Sequence, residues 1–182
     1  MNRTLRARFG LVTAMVLAAA ALRVLPHPPN VTPIAAMAVF AGARFDRRRW
    51  AFAVPLAAML VSDAALEVLF GWGFHSQMAA VYLSFALITC IGFWLRRRRG
   101  IVPVATAVIA SSTLFFATTN FAVWATGGSY PPTAAGLAAC YIAAIPFYGL
   151  ALVGDLVYAA ILFGAFAFAQ RRFPIFALPK TA

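Results

Sequence analysis

Four clusters of basic side chains cut this chain into apolar runs, and that alternation constrains its fold more than any other feature. The clusters are Arg3, Arg6 and Arg8; Arg44, Arg47, Arg48 and Arg49; Arg96 to Arg99; and Arg171, Arg172 and Lys180. They hold all but one of the 15 Lys and Arg residues, the exception being Arg23. Between them the chain is too apolar for a water-soluble domain, with 64% of its 182 residues hydrophobic and 10% charged. Basic residues set in short clusters between apolar runs orient membrane segments, whereas a nucleic-acid surface needs them in a stripe on a polar face. The net charge of +11 therefore points to a bilayer and not to nucleic acid.

The pattern predicts an all-α, polytopic membrane helix bundle, a single membrane domain over 1–182. Six transmembrane helices are expected at about 9–25, 31–43, 50–71, 78–95, 101–125 and 147–169, with a short interfacial helix at 133–145, ended by Pro146, before the last span. The second of these is short, since a crossing needs about 20 helical residues. The first run also fits a signal peptide, with small residues before Arg23 for cleavage. The small-xxx-small spacing of Gly10, Ala14 and Ala18 favours instead a retained helix that packs closely on another. Along a six-span path all four basic clusters fall on one side. The positive-inside rule then places both termini in the cytoplasm of a bacterial cell, the protein being a multi-pass component of its cytoplasmic (inner) membrane. Arg23, the loop at His75 and the proline-rich connectors at 26–33 and 130–132 face the other way. Cys90 and Cys140 sit in different segments without CxxC spacing, so neither a disulfide framework nor a zinc site is indicated.

The connector after the first run sets Arg23, His27 and Asn30 among four prolines. Prolines deny the backbone its helical donors, and non-helical backbone at a membrane persists only where protein or a water-filled cavity covers it. The connector reads as the lip of a cavity. Depth follows from the helical rise. Arg23 lies about 22 Å from Arg8, Asp63 about 20 Å and Glu67 about 25 Å from Trp50, Asn120 about 30 Å from Gly100, and Asp155 about 22 Å from Gln170. Four helices thus raise costly polar groups to one outer layer. Asp63 and Glu67, four apart, repel unless a cation, proton or ligand intervenes, and Arg23 is the obvious protein partner of Asp63 or Asp155. Two readings stand, a structural ion pair and a pocket open to the outside. The second also gathers His27, Asn30, His75, Tyr130 and Tyr141, with aromatic rings such as Trp124 available to stack on a flat ligand.

Several runs resemble an uncharacterised bacterial family regarded as membrane transport proteins: Arg23-Val24-Leu25-Pro26-His27-Pro28-Pro29-Asn30 with Thr32-Pro33-Ile34, Ser62-Asp63, Thr119-Asn120-Phe121 with Trp124, Tyr130-Pro131, and Cys140-Tyr141 to Ile145-Pro146-Phe147 with Gly154-Asp155. That family is similar to the substrate-binding S components of energy-coupling factor (ECF) vitamin transporters. The resemblance implies a six-helix bundle that captures a micronutrient from outside, and a partner made of a transmembrane coupling subunit with two ATPases. It also implies that the small-residue face of the first helix, Gly10, Ala14 and Ala18, docks on that subunit. No vitamin-specific pocket motif is visible, so the substrate does not carry over.

The expected function is therefore S-component-like capture of a small, vitamin-like solute for uptake, without catalysis or a cofactor of its own. The chain has no Walker loop with which to hydrolyse ATP. Substrate-binding candidates are Arg23, His27, Asn30, Asp63, Glu67, His75, Asn120, Trp124, Tyr130, Tyr141 and Asp155. The rivals are divalent metal uptake through His27, His75, Glu67 and Asp63, and an intramembrane enzyme acting on a lipid-type substrate, which lacks a GxSxG or HExxH signature.

Overall fold

A computed structural model describes residues 3–26, 30–98 and 100–176. His27, Arg99 and Lys180 lie outside them. Among the described residues the chain is helical throughout: α1 (Arg3–Leu22), α2 (Ile34–Arg44), α3 (Arg48–Phe70), α4 (Met78–Trp94), α5 (Ile101–Thr126) and α6 (Ala134–Arg172), with single 3-10 turns at Leu95–Arg97 and Pro174–Phe176. Five of these helices are long and apolar enough to cross a membrane. Their outer faces carry exposed Val61, Val68, Leu83, Ile142 and Phe168, a large apolar exterior that water does not tolerate on a monomer.

The exception is α2, whose 11 residues rise only about 16 Å, roughly half of a bilayer's hydrocarbon core. The expected second span at 31–43 is thus a half-helix, and it forms the centre of the molecule. Every residue from Ala35 to Gly42 is buried. Its small residues Ala35, Ala36, Ala38, Ala41 and Gly42 let neighbours approach closely, and α1, α3, α4, α5 and α6 all pack against it, α4 most closely. There Gly42 meets Gly92 backbone to backbone. A Cβ on Gly42 would fall 2.2 Å from the Thr89 carbonyl oxygen, and one on Gly92 2.5 Å from that of Val39. Phe40 fills the opposite side, edge-on to Phe163 and Phe166.

Both ends of this buried helix are held by charged side chains from its neighbours. At the N-terminus, which Pro33 leaves without a side-chain cap of its own, the Asp155 carboxylate accepts from the Ala36 N–H at 3.2 Å. At the C-terminus Arg96 donates to the carbonyls of Gly42 (2.9 Å), Phe45 (2.8 Å) and Asp46 (3.3 Å). An acid at the N-terminus and a base at the C-terminus complement the helix dipole, and they satisfy backbone groups that lipid would leave bare.

The last helix corrects the expectation of an interfacial helix at 133–145. Ala134 to Arg172 is one helix of 39 residues with Pro146 inside it. Pro146 removes a single hydrogen bond, but ending the helix would expose several backbone groups, and in an apolar medium the second loss is greater. At about 58 Å, α6 is longer than the thickness of a bilayer with its headgroups. Its first turns pack on α5 behind a turn in which Thr133 accepts from the Gly136 N–H at 3.1 Å.

Members of the four basic clusters meet at one end of the bundle. Arg8 lies 4.0 Å from Asp46 and donates to the Phe176 carbonyl at 3.0 Å; Arg96 reaches the end of α2; and Arg44, Arg98 and Arg171 share the mouth of one cleft.

Candidate functional site

Towards the other end, two buried carboxylates between them engage five helices and the turn that follows α1. Asp63 on α3 pairs with Arg23, just past α1, with Nη2 2.7 Å from Oδ1, and its Oδ2 accepts from the Tyr82 hydroxyl of α4 at 2.7 Å. The other Arg23 nitrogen, Nη1, donates to the Ser62 hydroxyl, which itself donates to the Met59 carbonyl at 2.8 Å. Asp155 on α6 accepts from the Ser112 hydroxyl of α5 at 2.6 Å and from the first turn of α2. Arg23 therefore takes Asp63 as its partner and leaves Asp155 to the α2 terminus. Each carboxylate is fully used, as burial of a charge demands.

Between these two anchors lies a cavity of about 510 Å³, lined by Arg23, Asn30, Asp63, His75 and Asp155 together with Trp72, Met78 and Phe115. A second cavity of about 360 Å³, reaching along α5 to Thr119 and Asn120 and along α6 to Phe147 and Tyr148, shares Asn30, Phe115, Ala151 and Asp155 with the first. Asn30 borders both from the connector, in a left-handed conformation (φ 64) that asparagine tolerates better than most residues. The turn after α3 brings Trp72 and His75 over the first cavity. Gly71 closes the helix at φ 73, and Gly73 lies so close to α3 that a Cβ would fall 1.9 Å from the Asp63 carbonyl oxygen.

Of the predicted residues, Arg23, Asn30, Asp63, His75 and Asp155 line the first cavity, and Asn120 lines the second with its amide bonded to the Phe116 carbonyl at 2.8 Å. Four others serve the turns and helix contacts instead. Glu67 accepts from the Phe74 N–H at 3.0 Å and so pins the α3–α4 turn rather than sharing a site with Asp63. Trp124 donates to the Pro131 carbonyl at 3.0 Å across the α5–α6 turn, and Tyr130 sits half-buried on that turn, away from the two cavities. Tyr141 donates to the Ala117 carbonyl at 2.6 Å and meets Phe116 edge-on. Tyr82, Ser112, Trp72 and Phe115 escaped the sequence reading, which measured the depth of charged and amide groups only. The same ruler puts Tyr82 about 20 Å from Leu95 and Ser112 about 18 Å from Gly100, level with the acids they bind.

The resulting chamber offers a neutralised ion pair, a carboxylate, an amide, an imidazole and aromatic faces in a volume suited to a small organic molecule. Among the described residues no three His, Cys, Asp or Glu side chains gather as a metal site. On α1, Gly10, Ala14 and Ala18 are exposed, on the face opposite buried Val12, Val16 and Ala19.

A model of a family of unknown function, DUF6580, matches residues 3–177. The chain belongs to this family. No curated protein and no solved structure matches it. The match covers every helix of the bundle, so the half-helix and both cavities of this DUF6580 chain lie within the matched residues.

Proposed function

We propose that the protein is a solute-binding component of an uptake system in a bacterial inner membrane, taking a small, vitamin-like molecule from outside into the chamber between Asp63 and Asp155. The observation that carries this reading is the placement of the 510 Å³ cavity. It lies at the end away from the basic rim, and α3, α6 and the segments that follow α1 and α3 supply its polar lining. With the basic rim cytoplasmic by the positive-inside rule, that end faces outward. The Arg23–Asp63 pair and the Asp155–α2 contact hold the chamber's polar groups in fixed positions, while Trp72 and Phe115 supply apolar contact. The unfilled face of α1 at Gly10, Ala14 and Ala18 is available to an ECF-type coupling subunit, which would bring the ATPases.

The test is native mass spectrometry of the purified protein for a retained molecule, followed by calorimetry with that molecule, a micronutrient panel, and nickel, cobalt and zinc. Ala151 borders both cavities, so Ala151→Trp fills the space without replacing either carboxylate. It is expected to abolish binding while the helical circular dichroism persists. Unchanged binding by the filled variant, or a wild type that binds nothing in the panel, overturns the proposal; binding of the metals alone transfers it to the divalent-cation rival.

A further inference from the structure

The charges of the chamber between Asp63 and Asp155 do not cancel. Among the described residues its lining carries two carboxylates, Asp63 and Asp155, and one guanidinium, Arg23, with His75 as the remaining titratable group. Arg23 is committed to Asp63, and its other terminal nitrogen donates to Ser62. Asp155 is held by the Ser112 hydroxyl and the Ala36 N–H, donors that satisfy its oxygens without cancelling their charge. The N-terminus of α2 offers it only about half a positive charge. Asp155 nonetheless borders both cavities and is 6% exposed, a burial at which an uncompensated charge is costly. Glu67, one helical turn past Asp63, adds a third carboxylate at the same end. A chain of net charge +11 thus sets an excess of negative charge around its cavity.

We infer that the solute is a monovalent organic cation, an amine or quaternary nitrogen on an apolar body, its charge set against Asp155 and its body against Trp72 and Phe115. The inference deepens the solute-binding reading of this chamber and rests on it. A neutral solute would displace water and leave the Asp155 charge less solvated than before. An anion would meet two carboxylates and one guanidinium already in use. A bare metal ion would find no cluster of three His, Cys, Asp or Glu ligands among the described residues, and would leave Leu66, Trp72, Met78 and Phe115 without an occupant. An organic cation answers the charge and the apolar wall together, since aromatic faces also attract positive charge.

The test is calorimetry of the purified full chain with three probes of similar shape and different charge: phenethylamine, phenethyl alcohol and phenylpropanoate. Wild type is expected to bind the amine about tenfold more tightly than the alcohol, the difference between a charge-assisted and a neutral hydrogen bond, and the carboxylate more weakly still. Asp155→Asn should erase that preference. Ala151, one turn before Asp155 on α6 and also in the lining, gives a second route. Ala151→Lys supplies an internal cation at helical spacing and should abolish the amine's advantage, whereas Ala151→Met, of similar length, should weaken all three probes alike. A molecule retained through purification and read by native mass spectrometry is expected to carry one positive charge at neutral pH. Equal or tighter binding of the alcohol or the carboxylate, a preference that survives both Asp155→Asn and Ala151→Lys, or a retained molecule that is neutral or anionic overturns the inference and leaves solute binding intact. If no probe binds and nothing is retained, the solute-binding reading itself falls, which keeps the two failures apart.

Discussion

Asp63 and Asp155 illustrate how differently two buried carboxylates in one layer are used. Asp63 is neutralised by Arg23 at 2.7 Å, and removing one partner of such a pair leaves an uncompensated buried charge, a loss of about 3–5 kcal/mol. Arg23→Ala and Asp63→Ala are each expected to lower stability by about that much, and the double variant by clearly less than their sum, which thermal unfolding in detergent arranged as a double-mutant cycle reads directly. Among the described residues Asp155 pairs with no cation; its charge faces the α2 terminus and the Ser112 hydroxyl. Asp155→Asn keeps an acceptor and should cost about 1 kcal/mol, whereas Asp155→Ala orphans both donors and should cost about 3 kcal/mol. Equal effects of the two substitutions would show that the α2 terminus does not depend on this side chain. The acid at position 155 was legible from depth alone, but its partner was not. Depth places Arg23 level with both acids, and only the packing angle of α1 against α3 chooses between them.

Among the elements, α2 gives the fold its shape. Its flank at Gly42 has backbone, not a flexible side chain, within reach of any added Cβ. Gly42→Ala and Gly92→Ala are therefore expected to destabilise by about 3 kcal/mol, the upper end of ordinary overpacking. Gly10→Ala, with nothing within 4 Å, should leave stability unchanged, and unequal melting temperatures of purified variants check the contrast. Arg96→Ala removes the donor to three carbonyls at the other end of α2 and should cost about 1–2 kcal/mol, with Arg96→Lys recovering part of it. That 31–43 is short for a crossing is apparent from its length, although it still counts as a span in the six-helix pattern; that it is wrapped on every side is not, because an Ala-rich run has the same pattern in lipid as in a protein core. The break expected at Pro146 failed for a related reason. Local propensity counts the lost hydrogen bond but not the apolar surroundings that make ending the helix worse.

For the whole molecule, the spatial separation of basic rim and polar chamber makes the orientation testable. In a background with Cys90 and Cys140 replaced, His75→Cys is expected to react with an impermeant maleimide on intact cells, and Arg47→Cys only after permeabilisation; both positions are exposed in the bundle. Labelling of the two from the same side would remove the basis for an outward-facing chamber. The all-helical architecture, the basic clusters and the level of Arg23, Asp63 and Asp155 were determined by the sequence, because apolar run length and the energetic penalty of burying charge are properties of residues in order along one axis. Which carboxylate pairs with Arg23, that Glu67, Trp124 and Tyr141 turn to backbone carbonyls and amides instead of the chamber, and that a half-helix is suspended between Asp155 and Arg96 were decided only by tertiary structure. These depend on how helices rotate and cross, set by contacts such as Gly42 on Gly92 between residues far apart in the chain, and no one-dimensional pattern carries that angle.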